Sequence, residues 1–434
     1  MNWWRMQVKL KKIDAIIVVA LLVFSAFFLY RSGYISLPFT EPSGPTDPGI
    51  NVTPPEPSIP TPPTSFIPSF RREVSPDDEG VHYDKIQIAR EWWYYSAVFT
   101  GKNSDLQNWS VIISFNHMAR GDLIGTNKPD MLVVSLHGPN GESYGGMINK
   151  ERYLGILNTG TLVASSPGVN LQYDNSWAEG EYPNWHVHAE DEDIDSAHEI
   201  IIDLDFVANS LPLWTIGNRA FDESKSSIAN YLFTGLDVNG TVIIDGEHFE
   251  VKGEGHHEHS WTPNAITKGS INGWDWFHII LDNGWEIYES NFYPTPQFIS
   301  QTTSRINPYG TLIITTDDGE TITELKNVDL KISKQDQRIF PFVRMPSEFR
   351  VTGRPSIKPE YLVSQSLLYG TNTLLEAEID IEDANNKVWK FPTYLGMKTG
   401  SCSIQGTVSW SDDDGDHKID VSGIGVVWSA RALL

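Results

Sequence analysis

The chain has 434 residues, a formal net charge of −24 and a single cysteine, Cys402. That length is enough for two sizeable cores. So acidic a chain excludes nucleic acid and anionic lipid surfaces as partners, because phosphate binding needs excess cation. One cysteine excludes an intramolecular disulfide and a cysteine-based zinc site.

The first recognisable element is Ile13–Tyr30, almost entirely apolar with Asp14 as its one acid. It approaches the roughly 20 residues that span a bilayer. Arg5, Lys9, Lys11 and Lys12 precede it and Arg31 alone follows closely. The positive-inside rule therefore puts the N-terminus in the cytoplasm and the body outside the cell membrane. No small-x-small cleavage site follows the run, so it reads as an uncleaved, single-pass signal anchor rather than a leader. Residues 1–35 are the tail and anchor. Residues 36–70 are dense in proline between Pro38 and Pro68, a composition that extends as a polyproline-like spacer and builds no core.

From Val81 onward the sequence predicts antiparallel β-structure. Strand-like runs include Trp92–Thr100, Trp109–His117, Met131–Leu136, Ile200–Val207, Phe249–Trp261, Gly273–Leu281, Trp285–Tyr293, Leu374–Ile381, Ser403–Trp410 and Gly423–Ala430. Asn140-Gly141, Asn239-Gly240, Asp245-Gly246, Asn283-Gly284 and Asp318-Gly319 are hairpin signals. No long stretch beyond the anchor has helical apolar spacing. Asp412–Asp416 lacks the spacing of an EF-hand and reads as a solvated hairpin turn. Many short strands of this kind indicate sandwiches or barrels, and the length asks for two.

Two stretches concentrate chemistry. In Phe249–Trp261 the period-2 alternation turns His257, His259 and Trp261 inward and His256 and Glu258 outward, with Gly253 and Gly255 as candidates for a bulge. The next strand places Asp275 on the face of Phe277, Ile279 and Leu281, where burial raises a carboxyl pKa unless a cation compensates. In Glu91-Trp92-Trp93-Tyr94-Tyr95 both faces are aromatic, so both are covered. The tryptophans Trp92, Trp93, Trp261, Trp274 and Trp276 are expected to gather at one cavity.

Glu91–Tyr94, then Gly255–Trp261 ending in Glu258-His259-Ser260-Trp261, then Gly273-Trp274-Asp275-Trp276-Phe277 resemble the signature of the AttH-like and carotenoid 1,2-hydratase group, which takes in fungal lipocalin-like Diels–Alderases. The closing Gly406–Val408 and Gly423–Val427 are similar as well, so the resemblance spans Val81 to Leu434. It implies an all-β fold of two tandem lipocalin-like antiparallel β-barrels, residues 71–262 and 263–434, with a ligand cavity within or between them. It also implies action on an apolar polyene, isoprenoid or lipid-like ligand by hydration, isomerisation or cyclisation. Here Glu258 stands where the group commonly has Asp, and His256-His257 is an additional pair.

Asp275, Glu258, His259 and Glu91 are the candidate catalytic residues, with Asp275 or Glu258 as proton donor and His259 orienting or relaying the proton. Trp92, Trp93, Tyr94, His257, Trp261, Trp274 and Trp276 are the candidate ligand-binding residues, their ring faces suited to a cationic intermediate. Each also has a plain structural reading, as core aromatics or as hydrogen-bonded polar pairs. A non-catalytic carrier of an apolar ligand and a carbohydrate-contacting surface module are the alternatives. His257-x-His259 could begin a metal site with Glu91 or Asp275, but nothing fixes a third ligand, and no metal or cofactor is expected. Protease added to intact cells should release a body-sized fragment by cutting between Pro38 and Pro68; full protection would refute the anchor.

Overall fold

The structure, a computed structural model, describes residues 73–85, 89–117, 130–148, 162–193, 198–216, 229–263, 271–294, 310–315, 321–326, 329–340, 343–353, 376–391, 395–412 and 415–432. The expected anchor and spacer lie outside these residues. Among the described residues no helix is long and apolar enough to cross a membrane.

One four-residue helix, α1 (Pro76–Glu79), opens the body. Ser75 caps it, its hydroxyl accepting from the Asp78 N–H while the Asp78 carboxylate accepts from the Ser75 N–H, and Pro76 occupies a first-turn position that needs no donor. All else among the described residues is strand and connection. The first sheet contains β1 (Ala89–Val98), β2 (Ser110–His117), β3 (Met131–His137), β4 (Ser143–Ile148), β5 (Leu162–Ala164), β6 (Val169–Tyr173), β7 (Ser176–Glu181), β8 (Asn184–Asp193), β9 (His198–Ala208), β10 (Leu213–Ile216), β11 (Ala229–Ile244) and β12 (Glu247–Pro263). The second contains β13 (Ile271–Leu281), β14 (Glu286–Pro294), β15 (Gly310–Thr315), β16 (Thr321–Lys326), β17 (Asp329–Phe340), β18 (Val343–Gly353), β19 (Glu376–Phe391), β20 (Leu395–Asp412) and β21 (Gly415–Ala432).

The first sheet runs β4-β3-β2-β1-β12-β11-β9-β8-β7-β6-β5, with β10 beside β11; the second runs β16-β15-β14-β13-β21-β20-β19-β18-β17. Every ladder is antiparallel. The first sheet curls until β4 packs over β8 and β9. Among the described residues its edges β4 and β5 share no ladder, nor do β16 and β17, and the first sheet has the curl of a half-barrel, the coarser form of the barrels expected. Long strands explain the curl, because a right-handed twist accumulated over many strands bends a sheet on itself.

Three apolar layers result. Trp93, Phe115, Trp185, Phe206 and Trp261 fill the hollow of the first sheet. Phe277, Leu312, Phe349 and Ile404 fill that of the second. Between the sheets lies a third layer, with Tyr94, Ile112 and Leu232 from one side and Trp276, Tyr288 and Trp428 from the other. Burying each large aromatic contributes on the order of 2–3 kcal/mol.

Turn chemistry was mostly legible. Asp245-Gly246, both at positive φ, joins β11 to β12, Asn140-Gly141 lies between β3 and β4, and Asn283-Gly284 lies between β13 and β14. Asp412 pairs with Gly415 at the end of the β20–β21 hairpin. Asn239-Gly240 is a correction: it lies within β11, which pairs through it with β9 and β12 on either side. Asp318-Gly319 lies outside the described residues. The expected bulge at Gly253 and Gly255 is also absent from the β1–β12 ladder, which runs unbroken from Ala89↔Pro263 to Val98↔Glu254; the irregularity sits on the other side, at Phe233–Leu236 of β11.

Gly425 on β21 sits where β13 passes closest, and a Cβ there would run into the His278 carbonyl and the Ile279 backbone. Gly425→Ala should cost about 1–3 kcal/mol through forced backbone movement, read as a lower denaturant midpoint with unchanged circular dichroism.

Candidate functional site

The β1–β12 ladder brings the two sequence motifs together. Glu91 pairs with Trp261, Trp93 with His259, Tyr94 with Glu258, Tyr95 with His257 and Ser96 with His256. Alternation then sorts them. Glu91, Trp93, Tyr95, His257, His259 and Trp261 face the hollow of the first sheet, while Trp92, Tyr94, His256 and Glu258 face the second sheet.

In the hollow, Glu91 is the hub. Its carboxylate accepts from the backbone N–H of His82 at 3.0 and 2.9 Å and of Tyr83 at 2.7 Å. His82 Nδ1 at 3.0 Å and His259 Nε2 at 2.9 Å both meet Oε1. Burial alone would raise the Glu91 pKa, but these imidazole hydrogen bonds outweigh it and hold the group below the ordinary carboxyl value. The carboxylate is therefore ionised, and His259 donates from Nε2. Its Nδ1 accepts from the Tyr231 hydroxyl at 3.1 Å. Burial keeps His259 neutral, lowering its pKa against the opposing pull of Glu91. His82 stacks on Trp261 with ring centres 3.7 Å apart, and His259 stacks on Trp93 at 4.6 Å. His82, Glu91 and His259 form the one metal-compatible group among the described residues; both imidazoles hydrogen-bond the Glu91 carboxylate, and His82 Nε2 has no hydrogen-bond partner among the described residues.

Above this hub sits Glu79, the last residue of α1. Its carboxylate accepts from the Tyr182 N–H at 3.1 and 3.0 Å and from Trp185 Nε1 at 2.8 Å. Burial wins over those donors and raises its pKa from 4.5 to about 7.

Glu258, one residue before His259, lies on the other side of the strand. Oε1 accepts from Asn230 Nδ2 at 2.8 Å and Trp92 Nε1 at 3.2 Å, and Oε2 from the Tyr288 hydroxyl at 3.4 Å. Burial raises its pKa despite the opposing donors Trp92, Asn230, Tyr288 and Trp276. Rings enclose it: Tyr94 and Trp276 are 4.4 Å apart, Tyr94 and Trp428 5.7 Å, Trp276 and Tyr288 5.8 Å. His256 stacks on Tyr288 at 5.4 Å and brings Nε2 to 3.8 Å from Glu258 Oε2. Burial lowers its pKa, and the neighbouring His278 lowers it further. Neither His256 nitrogen has a hydrogen-bond partner among the described residues. Beside this pocket of rings the sheets are clamped by polar contacts: His278 meets Ser96 Oγ at 3.2 Å and Glu286 at 3.0 Å, and the Gly235 N–H donates to Glu286 at 2.8 Å.

Asp275 stands apart from both groups, in the hollow of the second sheet. It is fully buried, and Arg431 Nη2 donates to both its oxygens at 3.0 and 2.8 Å. Sequence reasoning expected a poorly solvated Asp275 unless a cation or several donors compensated, and Arg431 is such a cation. The five tryptophans do not share one cavity: Trp93 and Trp261 lie in the first hollow, and Trp92, Trp274 and Trp276 lie between the sheets. Adjacent strand positions cannot share a face, so Trp92 and Trp93 had to part.

Sequence reasoning missed Glu79, His82, Tyr231, Asn230, Tyr288 and Arg431. The Ser75-Pro76-Asp77-Asp78 helix start was a readable signal for the segment that delivers Glu79 and His82. Nothing in the sequence joins Arg431 to Asp275 across 156 positions.

No family model matches the chain, and no curated protein matches it. Solved structures do. An AttH candidate from Nitrosomonas europaea superposes with a TM-score of 0.50 at 15% identity, covering 86% of this chain and all of the other. Kievitone hydratase from Nectria haematococca gives 0.49 at 13%, covering 85% and 98%, and CghA with Sch210972 gives 0.45 at 10%, covering 80% and 89%. The chain has the fold of the AttH-like structure. At this identity the likeness is one of fold.

Glu79 supplies a pH test. With a folded pKa near 7 against 4.5 for the unfolded chain, its contribution is fully present below pH 4.5 and is lost as pH rises towards 7. Glu79→Gln removes that loss. Measured by denaturant unfolding, the variant should therefore gain on the wild type by up to about 3 kcal/mol between pH 4.5 and 7.

Proposed function

We propose that the protein is a membrane-anchored, extracytoplasmic enzyme of lipocalin-like build that protonates an apolar unsaturated ligand between its two sheets. The observation that carries this reading is Glu258: a buried carboxyl whose pKa burial raises, ringed by Trp92, Tyr94, Trp276 and Tyr288. An apolar site that keeps a carboxyl protonated at neutral pH makes it a proton donor.

Glu258 delivers its proton to one carbon of a C=C bond, whose π pair forms the new C–H bond. The cation left on the neighbouring carbon faces the rings of Tyr94 and Trp276, which stabilise it. Water then attacks that carbon, and His256, neutral and unpartnered, takes the proton the water releases. Its Nε2 lies 3.8 Å from Glu258 Oε2, so one bridging water returns the proton and restores both groups. The sum is addition of water. Loss of a proton from the adjacent carbon to His256, in place of water attack, gives isomerisation; capture by a second double bond of the same ligand followed by that proton loss gives cyclisation. On this reading Glu91 and His259 position β1 against β12 and do not touch the ligand, and Asp275 is a structural partner of Arg431.

The substrate class is an isoprenoid, polyene or other lipid-like alkene, consistent with a body tethered by an anchor at Ile13–Tyr30 next to a membrane. Native mass spectrometry of the full chain should recover such a ligand. Glu258→Gln should keep the fold and the bound ligand while lowering turnover by about 10²–10⁴. A ligand that is released chemically unchanged by wild type and variant alike would instead make the protein a carrier.

A further inference from the structure

Three separate parts of the chain meet at Glu91. The carboxylate itself stands on β1, His259 on β12, and His82 in the irregular stretch that follows α1. All three side chains are wholly buried. Both imidazoles aim at the same oxygen, Oε1, His82 through Nδ1 at 3.0 Å and His259 through Nε2 at 2.9 Å. The His82 N–H reaches Oε1 as well, at 3.0 Å. Three nitrogens therefore crowd an oxygen that has two lone pairs. Oε2 is served separately, by the Tyr83 N–H at 2.7 Å and the His82 N–H at 2.9 Å.

A cation set between the two rings and Oε1 resolves the crowding. One lone pair of Oε1 and one of each imidazole go to the ion, and the second pair of Oε1 is left to the His82 N–H. The dimensions suit such an ion. Zinc bonds of about 2.0–2.2 Å hold tetrahedral donors about 3.3 Å apart, so these donors need part by only about 0.3–0.4 Å. The same bonds put each imidazole centre about 3.2 Å from the ion. The 5.6 Å between the His82 and His259 ring centres then subtends about 120° at it, within reach of a tetrahedral centre. Neither ring has to turn to meet the ion, since Trp261 stacks on His82 and Trp93 on His259.

We propose that His82, Glu91 and His259 bind one divalent transition-metal ion of the zinc class, which fastens the segment after α1 to β1 and β12. Two imidazoles and a carboxylate suit zinc and its neighbours, whereas calcium and magnesium take shells of oxygen. Three protein donors leave a fourth position for one water. Each imidazole stays neutral, its proton passing to the nitrogen that faces away from the ion. For His259 that is Nδ1, which lies 3.1 Å from the Tyr231 hydroxyl and changes from acceptor to donor there. For His82 it is Nε2, which has no hydrogen-bond partner among the described residues, so a proton gained there breaks no bond.

The charges around the group leave room for a dication. Asp78 and Glu79 of α1 are close enough to act on the Tyr231 hydroxyl, and His117, opposite Glu91 on β2, is already paired with Asp130 at 2.9 Å. Of the basic residues nearest in sequence, Arg90 alternates to the other face of β1 and Lys85 is exposed. His257, which the His-x-His spacing offered as a ligand, turns Nδ1 to the Tyr94 carbonyl at 3.0 Å and stays outside the group. The third ligand comes instead from His82. The site is independent of Glu258, which faces the opposite side of β12.

The test uses the full chain, expressed with zinc in the medium, purified in detergent without chelator, and assayed for metals by inductively coupled plasma mass spectrometry. About one zinc per chain should co-purify. His82→Gln should weaken zinc binding at least about a hundredfold and leave the metal content near zero. The rival is a surface site, because His186 and His188 both meet Asp203 on the exposed face of β8 and β9, at 3.1 and 2.7 Å. A double variant, His186→Ala with His188→Ala, should keep its zinc. Zinc lost from that double variant, zinc kept in a folded His82→Gln variant, or a wild type free of divalent transition metals each overturns the proposal. If His82→Gln does not fold, X-ray absorption at the zinc edge of the double variant decides. Two imidazoles in the zinc shell support the site, and any other number overturns it.

Discussion

The β1–β12 ladder is the constraint on which the rest of the structure depends. Its hydrogen bonds hold the two motif strands in one register, and the two-residue period then deals their side chains to opposite faces. In most sheets one of those faces meets water. Here the second sheet covers it, so Glu258 and His256 are as buried as Glu91 and His259. Two polar centres, back to back across one thickness of backbone, follow directly. The electrostatics differ because the partners differ. Glu91 meets two imidazoles and two backbone donors, which hold its pKa below the ordinary carboxyl value, whereas burial among neutral donors and aromatic rings raises that of Glu258.

Much of this was legible in the sequence, and the reason is local. Alternation in Phe249–Trp261 placed His257 and His259 on one face and His256 and Glu258 on the other, and aromatic residues on both faces of Glu91–Tyr95 signalled a strand covered twice. Turn residues marked Asp245-Gly246 correctly, because positive φ at both positions is a property of those two residues alone. The same logic misread Asn239-Gly240, where pairing on both sides of β11 outweighs the local preference for a turn. Strands such as β8 were passed over because their outward positions carry His186, His188 and Glu190, which hide the inward Trp185, Val187 and Ala189.

The site was less legible, because its completion is non-local. Asn230 and Tyr288 reach Glu258 from 28 and 30 positions away and from different sheets. His82 reaches Glu91 from an irregular segment that has no periodicity to read. Grouping five tryptophans into one cavity failed for a stricter reason: residues as close as Trp92 and Trp93 are the ones a strand must separate.

The alternating register of β12 also bears on how such a chain can change over time. Substitutions at Glu258 or His259 alter one centre and leave the other in place, since each side chain answers to its own layer. Gaining or losing a single residue within β12 is another matter. It would carry His259 to the layer between the sheets and Glu258 into the hollow, disturbing both centres at once. A change of letter in this strand is thus felt in one layer, and a change of length in two.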